Sequence, residues 1–187
     1  MKNIDPRFIR AEERINQTFT SLLQKKEFNS ISIKEITEGA KVNRSTFYAH
    51  YQDKKNLLDT IIEKSLIERL NNVVVYDSKK YPSEFLWSIL LVLTKYIEDI
   101  SSEWGIGFLS VIPFVDTMIR SVLSEFLLKT LVQSKELIED QQFNFLTAIS
   151  LSSSLFSIVR EAHIRELDLK QNKQAILDII TDPLAMN

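Results

Sequence analysis

Arg44, Ser45, Thr46, Tyr48 and His50 place five hydrogen-bonding side chains within seven consecutive residues. Guanidinium, hydroxyl, phenol and imidazole groups are the types that meet phosphate oxygens and base edges, and an arginine fork matches O6 and N7 of guanine in a major groove. Ser32 and Lys34 upstream and Lys54 just downstream add further donors. Other chemistries lack their parts. The sequence holds two histidines, His50 and His163, and no cysteine, which argues against a metal site, a thiolate nucleophile or a disulfide framework. Glu161, Arg165 and Glu166 around His163 read as the charged face of a helix. No nucleophile elbow or glycine-rich phosphate loop is present, so neither an enzyme nor a cofactor is expected.

Donors read a surface only if rigid elements hold them. With three glycines and four prolines in 187 residues, turns are scarce and an all-α chain is expected. Asp5-Pro6 opens a first helix, carrying Phe8, Ala11, Ile15, Phe19 and Leu22 at spacings of three and four and ending near Lys26. Ser32 and Glu35 form a capping box, flanked by Ile31 and Ile36 as a hydrophobic staple, and start a short second helix. Asn43 caps a third helix from Arg44 to about Tyr48, and Asp53 caps a fourth that runs to about Asn72. Two short helices joined by a tight turn make a helix-turn-helix, with Ile36, Ala40, Val42 and Phe47 packed between them and the donors outside.

The run N-R-S-T-F-Y-A-H-Y-Q-D-K from Asn43 to Lys54 resembles the DNA-binding domain of the TetR, or tetracycline-repressor, family of bacterial transcriptional regulators. Thr46, Phe47, Tyr48, His50, Tyr51 and Lys54 fall at that family's spacing, and the resemblance covers about residues 7 to 60. It implies that Arg44, Ser45 and Thr46 approach base edges and nearby phosphates. Tyr48, His50 and Lys54 would hold backbone phosphates, as would Ser32 and Lys34 at the start of the second helix. Lys41 and Glu27 depart from the pattern, standing where the family commonly has glycine in the turn and after the first helix. A non-glycine residue at positive φ costs on the order of 1 kcal/mol.

Residues 1 to 58 carry 11 Lys and Arg against 7 Asp and Glu, and residues 59 to 187 carry 12 against 18, which sets a basic head on an acidic body. The stretch VVVYDSKKYP at 73 to 82 reads as helix end and loop, and Pro82-Ser83 opens the next helix. Gly105 and Gly107 flank a short helix, Pro113 opens another to about Ser134, Asp140 caps the next, and the last ends before Pro183. The total is about nine helices in two domains, 1–58 and 59–187.

The helix after Asp140 is apolar around its circumference, with Ala148, Ser150, Ser153, Ser154 and Ser157 among its small residues, and with the last helix it is expected to form a homodimer interface. Trp87, Trp104, Phe108 and Met118 are the candidate lining of a largely apolar effector cavity. The longest apolar run, FLWSILLVL, is broken by Ser88 and ends at Thr94-Lys95, so no membrane span is expected. The resemblance implies a cytoplasmic repressor on a pseudo-palindromic DNA operator, released by a small hydrophobic effector. Two alternatives stay open. Asn43 to Tyr51 is also similar to the branch of the family containing the activator of dihydroxyacetone kinase operons, which implies control by a protein partner. A dimeric helical interaction module without DNA binding is the other.

Overall fold

The computed structural model describes residues 5–73, 82–133 and 141–181. Helices α1 (Pro6–Leu23), α2 (Ile33–Gly39), α3 (Arg44–His50), α4 (Lys54–Asn71), α5 (Pro82–Trp104), α6 (Ile106–Gln133), α7 (Gln141–Arg165) and α8 (Lys173–Thr181) follow in order, and no strand occurs among the described residues. Single 3-10 turns lie at Phe28–Ser30 and Leu169–Asn172. The loop expected within 73–82 falls at 74–81, outside the described residues, as does the expected cap at Asp140.

Local chemistry sets the helix starts. Asp5 accepts from the Arg7 amide, Asn43 from the Thr46 amide and Asp53 from the Asn56 amide, each through a side-chain oxygen. At α2 the capping box is complete in both directions, and the staple pair Ile31 and Ile36 is buried. Both described left-handed non-glycine residues end helices in the same way. Lys41, at φ 54°, follows α2, with the Val42 amide donating to the Thr37 carbonyl and the Lys41 amide to that of Glu38. Glu166, at φ 55°, repeats the pattern after α7 through Ala162 and His163. These are Schellman closures, in which the last turn's free carbonyls are satisfied at the expense of backbone strain at one residue. Glu27 carries no such strain, because its φ is −63° and it leads into an extended step.

Pro113 departs from expectation. It lies inside α6 rather than opening a new helix, so two expected helices are one and the described count is eight. Proline here withholds the amide that would reach residue 109 and disturbs the ladder at a cost of about 3 kcal/mol. Burial of Phe108, Val111, Val115 and Ile119 around it opposes that cost, since each such side chain contributes roughly 2 kcal/mol.

The chain falls into two compact units, residues 1–62 with 100–115 and residues 63–99 with 116–187. The first has a core of Ile15, Phe19, Leu23, Ile36, Phe47, Leu57, Leu58 and Ile62, all at 0 % exposure. Backbones approach closely within it. A Cβ on Gly107 would meet the Leu23 carbonyl oxygen at 2.6 Å, and one on Gly39 would meet Thr18 Cγ2 at 2.6 Å. In the second unit Leu155, Phe156 and Val159 of α7 and Leu177 and Ile180 of α8 are buried. Length and hydropathy alone would let α6 and α7 pass for membrane spans, but each has a face buried inside the protein.

Candidate nucleic-acid interface

Helix α3 is short and rests on a tightly organised start. The Asn43 side-chain oxygen accepts from the Thr46 amide at 2.8 Å, from the Thr46 hydroxyl at 2.7 Å and from the Ser45 hydroxyl at 2.7 Å. Two of the donors expected to face DNA are therefore turned back onto the cap. Ser32 behaves likewise at the start of α2: its hydroxyl accepts from the Glu35 amide at 3.2 Å and donates to Glu35 Oε2 at 2.9 Å. The Lys26 ammonium lies 2.5 Å from Glu35 Oε1, and its hydrogen bond is the main reason the Glu35 carboxyl falls to a pKa of about 2.

Arg44, Tyr48 and Lys34 present their heads to solvent. Arg44 and Tyr48 lie one turn apart on α3, with Nη2 3.5 Å from the Tyr48 hydroxyl, and Tyr48 is 50 % exposed. Lys34 on α2 is highly exposed and stands 3.8 Å from Glu38. Behind them Phe47 is fully buried, and the Tyr51 hydroxyl donates to Asn16 Oδ1 at 2.8 Å; burial raises that hydroxyl's pKa above the usual tyrosine range. His50, in the last turn of α3, is half-buried with its ring 3.7 Å from that of Phe8.

Lys54 is placed differently from the sequence expectation of a phosphate contact. Its ammonium donates to the carbonyl oxygens of Phe28 and Ile31, each at 2.6 Å, and sits 4.4 Å from the centre of the Phe28 ring. Burial there lowers the lysine pKa. The same loop is tied from another side, where the Phe28 amide donates to Ser110 Oγ at 2.8 Å and the Phe28 and Phe114 rings meet at 5.3 Å. Sequence reading missed this knot because its members lie far apart in the chain and none belongs to a motif.

This geometry fits the comparison with known proteins. Residues 20–61 match the family model described as bacterial regulatory proteins, tetR family. The match covers the helix-turn-helix segment alone, so it is this segment that is similar to the tetR family. Over 116 residues, 56 % of its length, the chain is 31 % identical to the uncharacterized HTH-type transcriptional regulator YxbF of Bacillus subtilis (strain 168), covering 30 % of that protein. Over 90 residues, 48 % of its length, it is 30 % identical to the HTH-type dhaKLM operon transcriptional activator DhaS of Lactococcus lactis, covering 44 % of it. The chain thus spans less than half the length of both curated relatives. A solved structure of the dihydroxyacetone kinase operon activator DhaS superposes with a TM-score of 0.59 at 20 % identity, covering 94 % of this chain and 96 % of that one, which shows a shared fold.

The residues expected to line an effector cavity are divided between the units. Trp104 and Phe108 are buried in the first, whereas Trp87 and Met118 belong to the second. The second unit has an open cleft of about 630 Å³ lined by Leu91, Thr94, Glu98, His163, Glu166 and Asp168, among others, and none of the four expected residues lines it. The rim of this cleft is charged, with Glu98, Glu166 and Asp168 on it. Ser150, Ser154 and Ser157 are exposed along α7 and Ser153 is half-buried, beside the exposed side chains of Phe145, Leu146 and Ile149.

Proposed function

We propose that the protein is a sequence-specific DNA-binding transcriptional regulator rather than an enzyme, acting as a homodimer whose two α3 helices enter successive major grooves of a pseudo-palindromic operator. The observation that supports this best is the pair Arg44 and Tyr48, exposed one turn apart on a helix whose cap and buried face are otherwise fully committed. Lys34 supplies a phosphate contact beside them, while Ser32, Ser45 and Thr46 act mainly by fixing the two helix starts. The homodimer reading is supported by the exposed apolar and small side chains of α7, joined by exposed Ile179 on α8. Residues 59–187 receive the controlling signal, which on the tetR pattern is a small hydrophobic effector that releases a repressor from DNA. The likeness to DhaS, an operon activator by name, favours activation as a second reading.

Selection of bound duplexes from a random pool tests the function and yields the operator. A two-fold symmetric consensus is expected. Arg44→Ala is expected to weaken binding by about 1–3 kcal/mol and relax preference at one base pair per half-site. No enrichment of any sequence would remove the reading, and uniform weakening across all sequences would remove Arg44 from the base edge.

A further inference from the structure

The chain has eight arginines, and their surroundings differ sharply. Arg69 meets Asp99, Arg120 meets Asp116, Arg160 meets Asp116 and Glu161, and Arg165 meets Glu161. Arg7, Arg10, Arg14 and Arg44 have no carboxylate within ion-pair distance among the described residues; Arg14 Nε donates to the Arg10 carbonyl and Arg44 lies against Tyr48. Arg44 is accounted for by the groove. The other three are not.

Arg7, Arg10 and Arg14 are all exposed, and their spacing of three and four puts them on one stripe of α1. The buried residues Ala11, Ile15, Phe19 and Leu23 occupy another. The stacking of Phe8 on His50, with ring centres 3.7 Å apart, holds the first turn of α1 against the last turn of α3. The stripe therefore begins beside the helix that carries Arg44 and Tyr48. Like charges three and four residues apart on a helix repel, so the isolated protein gains nothing from this row. An anionic partner reverses the sign. The seven residue steps from Arg7 to Arg14 cover about 10 Å of helix, and successive phosphates of one DNA strand recur about every 3.4 Å along the duplex axis.

We propose that Arg7, Arg10 and Arg14 form a second, sequence-independent contact with the DNA backbone beside the groove entered by α3. The proposal rests on the DNA-binding reading above. It assigns the first helix a share of affinity and none of base recognition, because guanidiniums on phosphates fix position without reading sequence.

The test uses the full chain and the duplex that the wild-type protein selects from a random pool. Wild type, Arg7→Gln/Arg10→Gln/Arg14→Gln and Arg165→Gln are titrated at several salt concentrations and against a panel of base substitutions. The triple variant is expected to give a shallower dependence of log K on log salt, by about 0.9 for each phosphate deprived of its guanidinium, with base preference and melting temperature preserved. Arg165→Gln, which removes a paired arginine, is expected to match wild type. Should the triple variant melt early, Arg10→Gln alone carries the same readout at a single phosphate. An unchanged salt slope with intact binding overturns the proposal, as does altered base preference without a slope change. Wild-type protein that shows no salt-dependent DNA binding removes the DNA reading itself, and is distinguishable because the failure precedes any substitution.

Discussion

Within residues 1–62 and 100–115 the four arginines, Arg7, Arg10, Arg14 and Arg44, stand without carboxylates among the described residues, and the apolar Ile106 and Leu109 are exposed as well. Within residues 63–99 and 116–187 all four arginines are paired, and α7 exposes apolar side chains, with Leu146 60 % and Ile164 61 % exposed. The two surfaces are unfavourable in water for different reasons. A row of guanidiniums without carboxylate partners repels itself until a polyanion arrives, whereas exposed hydrocarbon costs free energy in water until another apolar face covers it. On the function proposed above, the arginine row faces DNA and the apolar face of α7 meets another copy of the chain.

The comparison breaks most visibly at α7. Ser154 is exposed in the protomer, so Ser154→Arg leaves the fold intact but buries a charge if that face is covered by a partner, at a cost of several kcal/mol. Sedimentation is expected to show folded monomer. A variant that remains dimeric would take the interface away from this face of α7.

A smaller effect is expected at Lys54, a cation committed inside the first unit as Lys26 is. Because its ammonium serves the Phe28 and Ile31 carbonyls, Lys54→Met is expected to lower stability by about 1–3 kcal/mol through the acceptors left unsatisfied. The salt dependence of DNA binding should stay as in wild type. A lowered salt slope with an unmoved melting temperature would return Lys54 to the phosphates and dissolve the contrast between it and the α1 arginines.

The smallest effect concerns Lys41, an exposed cation held at φ 54°. Glycine at this position relieves the left-handed strain and loosens the unfolded chain, so Lys41→Gly is expected to range from neutral to about 1 kcal/mol more stable. Thermal melts decide the matter, and a clearly lower midpoint would show that Lys41 contributes more by its side chain than its backbone costs.

The helix starts at Asp5, Ser32, Asn43 and Asp53 were legible in the sequence because each involves groups within five residues of one another, whereas the left-handed turn at Lys41 was implied only by the family resemblance. Over such distances residue type and spacing suffice to choose the partner. The tertiary structure decided what spacing could not. Lys54 reaches carbonyls 26 and 23 residues away, and the Phe28 amide meets a hydroxyl 82 residues along, so the lysine's role depends on which backbone the fold carries to it. Pro113 is tolerated inside α6 because the surrounding helix is buried along one side, a compensation invisible in its neighbours' names. The division of arginines into paired and free likewise waited for the fold. Arg120 and Arg165 have carboxylates four residues away on their own helices, but Arg69 finds Asp99 across 30 residues, and only three-dimensional packing brings a charge that far.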